Sequence, residues 1–152
     1  VRLGLDVYGT TVPTEIDVGI FNAYPEDTEF LQCGKALNVW SDPDTDLVRK
    51  GGTIVIATAA SEGRGVHYLF DEGMRLYVPP SARPAWLKKT AGRDVIFFSP
   101  NVPPAEVVAT HGGATQLHNS WDAVIEQLAA KHGRSTRAVV FPCCALQYLR
   151  TV

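Results

Sequence analysis

Gln32 and Lys35 are the residues whose types and spacing suit ligand chemistry most directly. In a helix, residues three apart sit one above the other on a single face. An ammonium and a carboxamide so placed offer a small anion a positive charge, a donor and an acceptor. The surrounding segment, NAYPEDTEFLQCGKAL (22–37), leads to Trp40 and places Phe30, Cys33, Leu37 and Trp40 on a separate apolar stripe that should pack on a sheet. Two readings of the polar face stay open. It is a solvated surface, or it faces a ligand once a second domain covers it.

The loop SEGRG (61–65) is the second candidate. It follows a strand pattern and precedes a helical one, where exposed N–H groups favour an anion. It has neither a Walker motif nor a full dinucleotide fingerprint, and a tight strand-to-helix turn also accounts for it. Arg64 points into a cleft if this loop lines one. The four histidines, His67, His111, His118 and His132, show no H-x-H or H-E-x-x-H pairing, so a nickel or zinc site built from this chain alone is not expected. His67 opens a helical pattern and should face solvent. His111 and His132 fall at helix ends before glycine, where a charged imidazole suits the helix dipole. Ser61 and Ser99 lie near strand ends without a nucleophile elbow, which argues against a hydrolase. Cys33, Cys143 and Cys144 are odd in number, two are adjacent, and none has metal-ligand spacing. The pattern fits small buried hydrophobes in a reducing, cytoplasmic setting rather than a disulfide framework.

These residues need a scaffold, and the chain alternates short apolar runs with amphipathic stretches. Residues 1–7 alternate loosely and read as a first strand or as a remnant linking to a missing partner. Ile16–Asn22 is a buried strand, residues 24–27 a turn with Asp27 as N-cap, and residues 28–40 a helix. SDPDTD (41–46) interrupts it, and a short helical turn continues to Arg49. Gly51 and Gly52 then open a strand over 53–60. A helical pattern begins near His67, residues 77–84 form a Pro-rich connection, and residues 86–89 a short helix. A strand over 94–99 follows, then a helix over Pro104–His111 and a short strand at 115–117. A helix capped by Ser120 covers Trp121–His132, and a last strand spans 137–142. This alternation predicts an α/β fold, a mainly parallel sheet with helices on both faces in a Rossmann-like three-layer sandwich. Such sheets bind ligands beyond the carboxyl ends of their strands, which selects the loops at 22–27, 59–65, 99–103 and 142–144.

The length of 152 residues suits one domain with a real core. Hydrophobic residues make up 45% and charged residues 20%, with a net charge of −2, so nothing points to nucleic acid or an anionic membrane. The apolar runs are too short to span a bilayer, and no secretory signal is visible. The chain opens on Val1 rather than Met; a piece of a longer protein is expected.

The order of motifs NAYP, an acid, Gln, two small residues and Lys35 resembles the nickel-pincer lactate racemase-like family. The resemblance continues through Lys50, Gly51 and Gly52, TIVIATAA (53–60) and SEGRG, weakens after Phe70, and partly returns at DVIFFSP (94–100) and in the last helix and strand. It covers most of the chain, and its specific part runs from Tyr24 to Gly65. It implies that this chain is the carboxy-terminal domain of a two-domain enzyme. The amino-terminal domain of the same chain would hold the nickel-pincer nucleotide on a lysine, with the metal ligand and the acid and base histidines. The implied reaction is racemisation or epimerisation of a 2-hydroxy acid: a base takes the hydroxyl proton, the Cα hydride moves to the cofactor, and the keto acid takes it back on either face. This domain would cover the cleft. By position, Gln32 and Lys35 match the family's substrate-facing pair, and Tyr24 and Arg64 complete the expected contacts. Trp86, Gly63 and Gly65 form the expected cleft wall, although the spacing at Trp86 differs and a core tryptophan is the alternative. Leu31 stands where the characterised racemase has Tyr, which removes a hydroxyl from the implied site and leaves the substrate open. The isolated chain should bind no cofactor and show no catalysis. Two alternatives are a stand-alone module binding a small anion or nucleotide through SEGRG, and a docking domain that contributes no polar contact.

Overall fold

A computed structural model describes residues 2–42, 44–66, 73–75, 77–79, 82–112 and 115–150. A five-stranded, all-parallel sheet organises it. In chain order its strands are β2 (Ile16–Asn22), β3 (Val48–Ala57), β4 (Asp94–Phe98), β5 (Gln116–His118) and β6 (Ala138–Phe141), arranged β5-β4-β3-β2-β6. From β2 the chain steps outward to β5, then returns to place β6 on the other side of β2. That reversal makes the carboxyl ends of β2 and β6 a topological switch point. A separate parallel pair joins β1 (Gly9–Thr11) to β7 (Tyr148–Arg150). The helices are α1 (Arg2–Tyr8), α2 (Pro84–Thr90), α3 (Pro104–His111) and α4 (Trp121–His132), with a 3-10 helix at Phe30–Val39.

The sheet is covered on both faces, as the alternation of elements requires. One face carries the larger core. Phe21, Ile54, Ile56 and Phe97 meet Phe30, Cys33, Leu37 and Val39 of the 3-10 helix and Val107 of α3. On the other face Val18, Val55 and Ile96 meet Val124 and Leu128 of α4. Ile16–Asn22, Pro104–His111 and Trp121–His132 have the spans their periodicity predicts.

Other elements depart from expectation for physical reasons. The first segment is a helix rather than a strand; Leu3 and Val7 are four apart and fit a helical face as well as an alternating one. The segment carrying Gln32 and Lys35 is a 3-10 helix rather than an α-helix. Its buried positions Phe30, Cys33, Ala36 and Val39 recur every three residues, the 3-10 period. Its N-cap is Glu29; the Asp27 carbonyl instead accepts the Ala60 N–H at 2.6 Å and the Thr58 hydroxyl at 3.2 Å. No helical turn reaches Arg49, because β3 begins at Val48 and contains a bulge. Ile16 pairs with Val48 but Val18 with Thr53, so extra residues loop out of one strand. Gly51 has φ +75°, and a Cβ on Gly52 would fall 2.8 Å from the Asp17 carbonyl oxygen, so the bulge requires both glycines. Ser120 holds the N-cap position of α4 without a side-chain hydrogen bond. The helical pattern expected from His67 and part of the Pro-rich connection lie outside the described residues.

Candidate functional site

Local hydrogen bonding explains where the 3-10 helix starts. Its first N–H groups donate into the SEGRG loop, Phe30 to the Gly63 carbonyl at 2.9 Å and Leu31 to the Arg64 carbonyl at 3.1 Å. Two N–H groups return the exchange, Ala60 to Asp27 and Glu62 to Thr28 at 2.9 Å, while Gly63 donates to Ala60 within the turn at 2.8 Å. The loop is therefore a turn stitched to the helix N-terminus, and these three N–H groups are not available to cradle a phosphate. Gly63 has φ +66° and Gly65 φ +78°; a Cβ on Gly65 would lie 2.5 Å from the Glu29 side chain. Both glycines serve this close junction.

The far end of the helix is held by two buried cations on and after α2. Lys89 donates from Nζ to the Leu37 carbonyl at 2.8 Å, and burial pushes its ammonium below the ordinary lysine range. The Arg93 guanidinium lies 5.1 Å over the Trp40 ring and donates to the Val48 carbonyl at 2.5 Å. Trp40 Nε1 donates to the Thr45 carbonyl at 2.8 Å. Carbonyls at a helix end need such donors.

Between these anchors the helix turns a polar stripe outward. Glu29, Gln32 and Lys35 follow one another every three residues, and a 3-10 helix eclipses such positions. Lys35 Nζ donates to Gln32 Oε1 at 2.6 Å, and Gln32 Nε2 to Glu29 Oε2 at 3.4 Å. Lys35 Nζ also lies 2.8 Å from Glu26 Oε2, with side-chain exposures of 47% and 41%. Pairs this exposed contribute about 0–1 kcal/mol, so the stripe is not what holds the fold. The spacing thus brings Gln32 and Lys35 together as expected. Glu26 escapes a helical reading because it lies in the preceding turn, where its N–H donates to the Ala23 carbonyl at 2.9 Å.

The remaining candidates separate. Tyr24 is half exposed beside a cis Tyr24–Pro25 bond, and its N–H donates to Asn22 Oδ1 at 3.2 Å. Arg64 turns toward α3, its Nε 3.9 Å from Glu106 Oε2. Trp86 packs into the core edge, stacked on Phe97 with centroids 6.4 Å apart and 5.0 Å from His111. Its role as a cleft wall gives way to the core reading. His111 is not a charged helix cap. It is buried among Phe30, Phe97 and Trp86, Nδ1 lies 2.8 Å from the Thr110 hydroxyl, and burial, with Arg83 adding to it, lowers its pKa to about 3. His132 is also pushed down, first by burial and then by Lys131, and pairs with the Thr53 hydroxyl at 2.8 Å. No periodicity marks these tertiary roles.

Cys33 and Cys144 are buried free thiols and Cys143 is half-buried. Burial raises Cys33, and burial followed by Cys143 raises Cys144 to about 12, so neither buried thiol is an activated nucleophile. Among the described residues, no three His, Cys, Asp or Glu side chains are grouped to hold a metal ion. No described helix is long and apolar enough to cross a membrane.

A second feature lies on the α4 face at the switch point. A cleft of about 450 Å³ is lined by Ile20 and Asn22 of β2, Ala57, Phe98, Val140, Pro142 and Trp121, among others. Its lining is largely apolar, and it lies across the sheet from the Gln32–Lys35 stripe.

No protein-family model and no curated protein sequence matches the chain. Among solved structures, the chain is similar to the lactate racemase apoprotein from Thermoanaerobacterium thermosaccharolyticum, with a TM-score of 0.67 at 13% identity. The match covers 99% of this chain and 39% of that one. The chain thus has a lactate racemase-like α/β fold and spans well under half the length of that neighbour.

Proposed function

We propose that this chain is the substrate-covering domain of a racemase or epimerase acting on a 2-hydroxy acid. Its catalytic base and metal ligands would be supplied by residues outside this chain. One observation carries the reading: the 3-10 helix is fixed at both ends, yet it turns Gln32 and Lys35 outward in hydrogen-bonding contact. A lysine in a closed, poorly hydrated cleft orients a carboxylate and stabilises charge on a developing carbonyl oxygen. Gln32 supplies a donor and an acceptor for the hydroxyl. The fold shared with a lactate racemase supports the reaction class, as does the order of motifs from Tyr24 to Gly65. The substrate is an anionic 2-hydroxy acid, with Leu31 removing one polar contact from the lactate pattern. In the proposed enzyme a nickel-pincer nucleotide would supply the hydride acceptor; nothing in this chain is assigned to holding it.

The test is interconversion of the enantiomers of 2-hydroxy acids by the full-length, cofactor-loaded enzyme, followed by optical rotation. Lys35→Ala and Gln32→Ala should each lower kcat/KM by about tenfold or more, the loss expected for one charge-assisted contact. Unchanged turnover in both variants would remove the site assignment.

A further inference from the structure

Lys35, the residue proposed to meet the substrate anion, is already paired. Its ammonium lies 2.8 Å from Glu26 Oε2, and that oxygen is shielded from solvent with no directional hydrogen bond. The contact is therefore ionic, while the directional donation goes to Gln32 Oε1. Glu26 is not on the helix. It projects from the turn after β2, which the Glu26 N–H to Ala23 carbonyl bond closes. The fold thus delivers a carboxylate from a separate element to the one ammonium on the polar stripe. Glu29, at the other end of the stripe, takes Gln32 Nε2. Both groups that would read an anion are occupied by the protein's own acids.

We propose that Glu26 is an internal counter-ion that occupies the substrate-carboxylate position at Lys35 and must be displaced by the ligand. This rests on the reading of Lys35 as the anion contact. Glu26 then sets specificity by charge: a ligand must offer Lys35 a better-placed carboxylate than Glu26 does, and weakly coordinating anions are held off. Glu26 is a positioning residue; it acts through Lys35 and takes no part in bond making.

Titration of the full-length protein with racemic lactate by calorimetry tests this, with Glu26→Gln, Lys35→Ala and Glu62→Gln. Glu62→Gln removes the same charge from an exposed site on the neighbouring loop. Removing a competing charge about 4 Å from the bound anion should tighten lactate binding about fivefold even at water-like screening. Glu62→Gln should change it by less than about twofold. A second readout needs no ligand: acetylation of Lys35 by acetic anhydride, followed by mass spectrometry, should speed up in Glu26→Gln and not in Glu62→Gln. If Glu26→Gln binds and acetylates like wild type while Lys35→Ala loses binding, the counter-ion proposal fails and Lys35 keeps its role. If the two charge removals act equally, the effect is bulk charge and the proposal fails. If Lys35→Ala of the full-length protein binds lactate as wild type does, or no full-length protein binds it, Lys35 is not the lactate contact and both readings fall.

Discussion

The two faces of the sheet are built to different standards. On one, the 3-10 helix, α2 and α3 enclose Phe30, Phe97, Trp40 and His111, and Lys89 and Arg93 tie off backbone carbonyls beneath them. On the other, α4 alone contributes Val124 and Leu128, Ile125 stays 45% exposed and Val140 59% exposed, and a cleft remains open at the strand ends. The cleft lined by Ile20, Phe98 and Trp121 therefore lies on the lightly covered face, and the Gln32–Lys35 stripe lies on the heavily covered one. A binding surface that must present a charge at a fixed place needs the rigid side. The contrast separates anchoring from pocket shape as guides to function.

The most severe way to break the contrast is Phe97→Ala. It removes a fully buried ring that touches Phe30, Trp86 and His111 and should cost about 3–5 kcal/mol in urea unfolding. Ile125→Ala, on the exposed side of α4, should change stability by less than about 0.5 kcal/mol.

The next effect is a pH dependence peculiar to the heavy face. Folded His111 stays neutral down to about pH 3, whereas its ordinary pKa is 6.5. The unfolded chain therefore binds a proton that the folded chain excludes between those values. Stability from this group is complete above pH 6.5 and should fall by up to about 1.4 kcal/mol per pH unit below it. His111→Phe should flatten that slope in denaturation series from pH 7 to 4, whatever its effect at neutral pH.

A smaller effect sharpens the anchoring argument. Lys89→Met keeps the stem but leaves the Leu37 carbonyl without its donor, a loss of about 1–3 kcal/mol. Amide exchange should accelerate first near the end of the 3-10 helix. A uniform acceleration across the sheet would mean that Lys89 serves the whole core instead.

Much of this architecture is legible in the sequence where periodicity governs. Val124 and Leu128 mark α4, and the buried runs of β2 and β4 mark themselves. The 3-10 form of the helix was also present in the spacing of Phe30, Cys33, Ala36 and Val39, but Phe30, Cys33, Leu37 and Trp40 are apolar as well and fit 3.6 residues per turn. From sequence the Gly51–Gly52 bulge reads as the opening of a strand, because only the paired neighbour reveals it as a bulge inside β3. The Gln32–Lys35 face was legible because its members are neighbours along the helix. Glu26, Glu106 beside Arg64, and the enclosure of His111 by Trp86 were not, since each depends on which elements the tertiary fold brings together.

The least perturbing changes bear on the central claim. Lys35→Ala and Gln32→Ala should shift stability by less than about 0.5 kcal/mol, because the stripe is exposed and weakly coupled. The most direct measurement is a lactate titration of the full-length protein followed by NMR of side-chain amides, lysine ammonium groups and the Trp121 indole. The account predicts shifts at the Gln32 amide and the Lys35 ammonium, the Gln32 shift vanishing in Lys35→Ala, with the Trp121 indole unmoved. Shifts centred on Trp121 and Asn22, or a response that survives Lys35→Ala, would place ligand binding in the cleft on the α4 face and contradict it.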